Sequence, residues 1–378
     1  MKPRQHKAIV IDIEDVARSG AGVGKDEQGR VVFVPFTAPG DKVKVKPTKV
    51  KNKFAEAELL EIIEASDQRI SPACPVFTLC GGCQWQHLSY EQQWQIKLDG
   101  VKQSLRLAKI NADVPWQEFP ATQQWFYRNR IQLRGYKDKL GFFARQSHDV
   151  IEVDVCQIAA PELNQKIAEV KAEAKKQSKS YKVELHLKTD GTVEKVWNQQ
   201  HGAEGFRQVN DEQNRQLQAW IKNQLHGELK ILDLYGGNGN LSRPLLTQCT
   251  EMHCVDLSAP DQTDPNLPDY FHFHRSAVYP WLQQRIAQIK GRRIAIGDTA
   301  WTALIDPPRD GLGEDCTGII DCLEKHQADT AVLVGCKTDP WSRDVAQFLN
   351  AGWKIKQLAV FDFFPQTFHV ETVALLGK

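Results

Sequence analysis

Cys336 and Glu371 are a thiol and a carboxylate that one reaction could share. Cys336 follows the apolar run Ala331-Val332-Leu333-Val334-Gly335. Glu371 closes the stretch Phe364-Pro365-Gln366-Thr367-Phe368-His369-Val370-Glu371. A covalent attack on a pyrimidine ring needs such a pair: the thiolate adds to the ring, and the carboxylate later removes a ring proton. The apolar runs beside them read as core strands, so both groups are expected at strand ends. The pair alone is weak evidence, and it gains weight from what lies upstream.

Leu229-Lys230-Ile231-Leu232-Asp233-Leu234 reads as a strand. The glycine turn Tyr235-Gly236-Gly237-Asn238-Gly239-Asn240 follows, then a helix expected over 241–248. Glycines let a backbone approach a ligand closely at a helix N-terminus. A dinucleotide fingerprint would want a third glycine where Ser242 stands, which argues against a pyrophosphate ligand. Asp256 ends the next strand, where an acid holds ribose hydroxyls. A ribose without a pyrophosphate fits S-adenosylmethionine, although a tight turn with no ligand reads equally well from the turn alone. Asp306 opens Asp306-Pro307-Pro308-Arg309 after the strand 301–305. Asp233, Asp256, Asp306 and Cys336 therefore collect at the carboxyl ends of strands, where open α/β sheets bind ligands. The blander role for Asp306 is a turn residue before proline.

Cysteines form another constellation. Cys74, Cys80 and Cys83 lie in a Gly- and Pro-rich loop, and Cys156 stands 73 residues further on. Clustered thiolates bind zinc or an iron–sulfur cluster, and this spacing is not the paired zinc-knuckle pattern. Cys249, Cys254, Cys316 and Cys322 read as buried thiols.

The elements that must carry these groups fall into three regions. At 378 residues, with 25% charged and 41% hydrophobic residues, the chain reads as a soluble globular protein of two or three domains. It shows no signal peptide and no membrane-spanning run, so the cytoplasm is the expected compartment and no membrane is expected as a partner. Residues 7–64 read as short strands in a small barrel of the oligonucleotide-binding type, with Gly20 to Gly24 as a bend. The net charge of +1 hides Lys42, Lys44, Lys46, Lys49, Lys51 and Lys53 in one segment. On a strand, alternating lysines form a stripe suited to a phosphate backbone, unless they are only a solvated face. A helix is expected over 90–110, and strands with one helix (162–176) over 125–200. From residue 211 helix and strand alternate, as in a doubly wound α/β domain.

Taken together, these residues resemble the RNA uracil-5-methyltransferase family over nearly the whole chain. The closest branch acts on ribosomal RNA and has a TRAM domain and a [4Fe–4S] cluster. The resemblance rests on Cys74, Cys80, Cys83 and Cys156 with Gly81-Gly82-Cys83-Gln84-Trp85-Gln86-His87, on Phe206-Arg207-Gln208-Val209-Asn210, on Asp233 to Asn240, on Asp306 to Arg309, and on Cys336 with the closing Phe364–Glu371. It implies a Rossmann-like methyltransferase domain (205–378), an N-terminal OB-like TRAM barrel (1–64) and a small α+β iron–sulfur domain (65–204). The helix near 90–110 would pack with the catalytic domain.

By that resemblance Cys336 is the nucleophile and Glu371 the base. Gln208, Tyr235, Asn240, Asp256, Ser276 and Asp306 line the S-adenosylmethionine and uracil sites. Asp306 would hold the uracil edge, and Phe206 would stack near the displaced base. Arg128, Arg130 and Arg134 would grip phosphates, surface charge being their blander reading. The four clustered cysteines would hold the [4Fe–4S] cluster. Ribosomal RNA is favoured over transfer RNA as partner, and the chain reads as a monomer. A transfer-RNA enzyme, a non-catalytic RNA-binding relative and, more weakly, a redox protein are the alternatives. Two features depart from the family: Lys337-Thr338 where Asn-Pro often follows the nucleophile, and a short stretch between Asp256 and Asp306.

Overall fold

The computed structural model describes residues 6–111, 114–199, 207–260, 266–291 and 300–378. Along the chain come β1 (Ile9–Val16), β2 (Gly22–Lys25), β3 (Val31–Val34), β4 (Lys42–Val50), β5 (Phe54–Glu64), α1 (Tyr90–Leu107), β6 (Trp116–Phe119), β7 (Arg130–Tyr136), β8 (Lys139–Phe143), β9 (Val150–Glu152), α2 (Pro161–Ala174), β10 (Ser180–Leu187) and β11 (Val193–Trp197). They are followed by α3 (Asp211–Gln224), β12 (Leu229–Leu234), β13 (Cys249–Asp256), β14 (Phe271–Arg275), α4 (Val278–Lys290), β15 (Trp301–Ile305), α5 (Cys316–Lys325), β16 (Ala328–Gly335), α6 (Thr338–Asn350), β17 (Lys354–Phe361) and β18 (Glu371–Gly377). The chain divides into two units. The first holds Met1–Gly100, Thr122–Gln200 and Phe364–Phe368, and the second Val101–Ala121, His201–Phe363 and His369–Lys378. The helix expected over 90–110 ends at Leu107 and contributes to both.

In the first unit β1 to β5 close into a barrel in the order β1-β2-β3-β5-β4. Alternation along each strand sends Ile11, Ile13, Val32, Val34, Val43, Val45, Ala55 and Ala57 into one core. The expected bend over Gly20 to Gly24 is only partly a bend. The turn occupies residues 17–21, and Gly22 and Gly24 belong to β2. A Cβ on Gly22 would lie 2.0 Å from Thr37 Oγ1, and one on Gly24 2.3 Å from the Asp12 carbonyl. These glycines serve close approach within a strand, not a turn.

The lysine stripe also differs from its expectation. β4 pairs antiparallel with β5, which sets Lys44 opposite Glu61, Lys46 opposite Glu58 and Lys49 opposite Glu56. Lys42 reaches Glu64 at 3.1 Å and Lys49 reaches Glu56 at 2.9 Å. The stripe is thus one side of a cross-strand ladder of opposite charges. The rest of this unit is an antiparallel sheet, β11-β10-β7-β8-β9. Leu163, Ile167, Val170 and Ala174 of α2 pack against its Ile131, Leu133 and Leu185.

The second unit is built on an eight-stranded sheet, β14-β13-β12-β15-β16-β18-β17-β6. β14 through β16 run parallel, and β18 is inserted antiparallel between β16 and β17. Strands buried on both faces need unbroken apolar sequence, as Ala303-Leu304-Ile305 and Val332-Leu333-Val334 supply. After β12 the chain steps to one side (β13, β14) and then returns to the other (β15, β16). The switch point therefore lies between the ends of β12 and β15. The helix expected over 241–248 is instead a short 3₁₀ segment, Arg243–Gln248. Six residues before the next strand leave no room for a stable α-helix, and Pro244 in the first turn has no N–H to give.

Candidate active site

The turn after β12 takes three left-handed residues: Tyr235 (φ 61), Gly237 (φ 58) and Gly239 (φ 83). Its shape is fixed from below. The Tyr235 and Gly236 N–H groups donate to Val255 O at 2.9 and 3.3 Å. Asp233 is fully buried, and its Oδ2 accepts from Ser242 Oγ. A Cβ on Gly236 would fall 2.5 Å from that carboxyl. Ser242, notable in the sequence only as a missing glycine, is thus the partner of a buried acid. Burial, with Asp256 nearby, pushes Asp233 up to about 6.

Asp256 ends β13 beside this turn. Its Oδ2 accepts from Gly237 N at 3.2 Å and its Oδ1 from Ser258 N and Oγ, both at 2.6 Å. The Ser276 N–H donates to Asp256 O at 3.2 Å, so Ser276 stands at the same edge. Asn240 exchanges two 2.9 Å amide hydrogen bonds with Asn214 of α3. Gln208 is buried two residues before Asn210, whose side chain caps α3 by accepting from Gln213 N. Phe206 lies outside the described residues.

Sheet register places the reactive pair. β16 and β18 pair antiparallel, the last match being Gly335 with Thr372, and Thr372 Oγ1 donates to Gly335 O at 2.9 Å. Cys336 and Glu371 are the next residue on each strand, so the register sets thiol beside carboxyl. Asp306 joins them from the end of β15, its N–H donating to Leu234 O at 3.2 Å. Burial first, and then neighbouring acids, raises all three: Cys336 to about 12 with Glu371 and Asp306 adding to it, Glu371 well above the usual carboxylate range with Asp306 adding to it, and Asp306 to about 7 with Asp233 and Asp256 adding to it. The Arg309 guanidinium opposes this at both Cys336 and Glu371. Its Nη2 lies 3.1 Å from the His369 ring nitrogens. Neither Arg309 nor His369 was singled out from sequence, although both sit inside the motifs that were.

Lys337 is exposed, 3.9 Å from Asp310. The following residues are tethered instead by Ser104, whose Oγ lies 3.0 Å from Thr338 Oγ1 and 2.9 Å from Asp339 Oδ1.

In the first unit Cys74, Cys80, Cys83 and Cys156 line one small cavity with Arg128. None is in a disulfide. Backbone N–H groups already point at sulfur: Gly82 toward Cys80 Sγ at 3.4 Å, and Ile158 and Ala159 toward Cys156. Burial pushes Cys83 up to about 12 and also raises Cys80 and Cys156, the nearby thiols adding to it, while Arg128 opposes it at Cys83 and Cys156. The buried Arg128 Nε has no hydrogen-bond partner. Among the described residues no group of three or more His, Cys, Asp or Glu is drawn in tightly enough for one metal ion. Four thiols around a cavity, with amide donors and a cation beside them, do fit a multinuclear anionic cluster. Arg130 departs from the expected phosphate grip. It is buried, with Nε 3.6 Å from Glu184, so its charge is balanced inside the fold.

Comparison with known proteins agrees with this geometry. The TRAM domain family matches residues 7–60, the span of the barrel. The family described as tRNA (Uracil-5-)-methyltransferase matches residues 283–378, which include Asp306, Cys336 and Glu371. An RNA methyltransferase of Bdellovibrio bacteriovorus is 33% identical over 385 residues, covering 97% of this chain and 94% of the relative. The chain belongs to the RNA uracil-5-methyltransferase family. Membership makes it a methyltransferase that acts on RNA with S-adenosylmethionine as methyl source. A 23S rRNA (uracil(1939)-C(5))-methyltransferase of Shewanella woodyi is 28% identical over 447 residues, covering 97% of this chain and 95% of the relative. The fold matches that of the Pyrococcus abyssi tRNA (uracil-54, C5)-methyltransferase, solved with S-adenosyl-L-homocysteine, at TM-score 0.69 and 21% identity over 97% of this chain and 99% of that one. No described helix is long and apolar enough to cross a membrane.

Proposed function

We propose that the protein methylates C5 of a uridine in ribosomal RNA through a covalent Cys336 adduct, in the cytoplasm and as a monomer. The observation that carries this reading is the β16–β18 register, which sets Cys336 beside Glu371 with Asp306 at the same edge. Cys336 gives up its proton to solvent and the thiolate bonds to uracil C6, the electron pair of the C5–C6 double bond moving so that C5 gains carbanion character. S-adenosylmethionine would supply an electrophilic methyl group to C5, its S–CH3 bond breaking with the electron pair left on sulfur and S-adenosylhomocysteine as leaving group. Glu371 then accepts the C5 proton, the C6–S bond breaks, and the thiolate leaves with the electron pair. Asp306 holds the uracil edge. The turn Tyr235–Asn240, with Gln208, Asp256 and Ser276, holds the methyl donor: the open space at Gly237 fits a ligand there. Phe206, outside the described residues, is assigned to stacking on the displaced base.

The four cysteines are assigned to a [4Fe–4S] cluster. Arg128 lines the same cavity as these cysteines and is assigned to the cluster's surroundings as well as to RNA phosphate. The domain division 1–64, 65–204 and 205–378 is part of the same proposal. The name of the Shewanella relative supports ribosomal RNA; the family description and the Pyrococcus enzyme support transfer RNA as the second reading.

Glu371→Gln tests the chemistry. With the C5 proton retained, the thiolate cannot be expelled, and a denaturing gel should show RNA bound covalently to the protein. Normal turnover of this variant rules out Glu371 as the base. Mapping 5-methyluridine in ribosomal and transfer RNA from a deletion strain decides the substrate.

A further inference from the structure

The turn Phe364-Pro365-Gln366-Thr367 has a backbone its sequence does not favour. Proline suits the first central position, the Thr367 N–H donates to Phe364 O at 3.2 Å, and Gln366 takes φ 70 at the second. That is the pattern of a type II turn, whose second central position ordinarily belongs to glycine. Such strain persists only where the surroundings over-determine it, and it is a pointer to function.

Here the surroundings are explicit. The Gln366 N–H donates to Gln93 Oε1 at 2.9 Å, and Gln366 Oε1 accepts from Gln93 Nε2 at 3.0 Å. The Gln366 carbonyl accepts from the N–H groups of Gln84 (3.0 Å) and Trp85 (3.1 Å). Tyr127 OH donates to Pro365 O at 3.1 Å, and Lys97 Nζ to Phe364 O at 3.0 Å. Gln93 and Gln366 are both buried. Gln84 and Trp85 follow directly on Cys83. The same loop's Gln86 accepts from Cys74 N and hydrogen-bonds the Cys83 sulfur. All of these contacts lie within the first unit. From Phe368 only His369 and Val370 separate this turn from Glu371.

We propose that Gln93 and the loop after Cys83 form a clamp on the Gln366 turn that sets the position of Glu371, with the cysteine site at its far end. Gln93 and Gln366 are positioning residues, and the step they govern is the one Glu371 serves: proton removal from C5 and release of the thiolate. Thiolate addition does not need the clamp. The inference rests on the covalent reading above.

The experiment is single-turnover methylation by the full-length protein, reading methylated RNA and covalent adduct together. Gln366→Gly suits the left-handed backbone and removes the side-chain grip, so its fold should survive. It should form product at least tenfold more slowly while adduct accumulates, as with Glu371→Gln. Gln93→Leu should behave alike; if it does not fold, Gln366→Gly decides. Unchanged turnover, or slower product with no adduct, overturns the clamp. If Glu371→Gln itself forms no adduct, the covalent reading falls and takes this one with it, a failure distinguishable from the clamp's own. At the far end, Cys83→Ser should speed amide hydrogen exchange across residues 364–371 at least tenfold and leave β12 unchanged. Equal exchange would disconnect the cysteine site from the turn.

Discussion

Cys336 lies in surroundings that hold its proton. Burial dominates, Glu371 and Asp306 add to it, and Arg309 opposes it, leaving the thiol at about 12. A thiol above the ambient pH reacts through a small thiolate fraction that grows tenfold per pH unit. Mass-resolved alkylation of Cys336 by iodoacetamide should therefore be slow at pH 7 and climb about tenfold per unit to pH 10. Arg309→Ala removes a charge that favours the thiolate, and it should slow alkylation a further roughly three- to tenfold at fixed pH. Fast alkylation that is flat above pH 7 would mean the thiol is already ionised. At this scale the sequence showed which groups meet, because motif residues sit at strand ends. It did not show how they meet. The register that pairs Cys336 with Glu371 is a long-range property of β16 and β18, and the Arg309–His369 contact joins residues 60 positions apart.

Among the elements, β13 and β14 hold a set of histidines that the motifs did not touch. His253 Nδ1 lies 2.9 Å from His274 Nε2 and His253 Nε2 lies 3.0 Å from Glu251, while Arg285 Nε donates to His326 Nε2 at 2.7 Å. Burial, followed by neighbouring positive charge, lowers His274 and His326 to about 4. Both are neutral in the fold, whereas the unfolded chain takes up protons near 6.5. Their stabilisation is complete above about pH 6.5 and is lost as pH falls toward 4. Glu251, lowered to about 2 chiefly by its hydrogen bond from His253, adds stability above its ordinary 4.5 that is lost toward pH 2. Acid therefore weakens this unit from both sides. His326→Gln keeps an acceptor for Arg285 and does not titrate. Between pH 6.5 and 5 it should lose about 2 kcal/mol less than the parent in urea unfolding. An equal loss in both would remove His326 from the account. These contacts were illegible in the sequence because they depend on the alignment of β13 with β14. The 3₁₀ segment after the glycine turn and the hidden strand β2 were misread for a related reason. Glycine content signals a turn whether the glycine bends the chain or only lets a neighbour come close.

For the whole molecule, residues 7–64 carry ten Lys and Arg against ten Asp and Glu, and the lysines of β4 face the glutamates of β5. A surface balanced in this way displaces few counterions. Changing Lys44, Lys46 and Lys49 to Ala should shift the slope of log affinity for RNA against log salt by less than one. Three lost phosphate contacts would shift it by roughly 2–2.7. A shift of the larger size would show that these lysines leave their glutamates for RNA. The N-terminal barrel was legible from its short strands and turns, but the interleaving of the chain was not. Five residues near its end, Phe364–Phe368, belong with the unit that its first half builds. Synthesis gives that arrangement a temporal cost. At about 5–20 residues per second, roughly 10–30 s separate the emergence of residue 200 from that of residue 364. Throughout that interval the nascent first unit has Gln93, Trp85 and Tyr127 in place without the Gln366 turn that they hydrogen-bond. The first unit is complete only once residue 368 has emerged, so a ribosome that stalls before that point leaves both units unfinished.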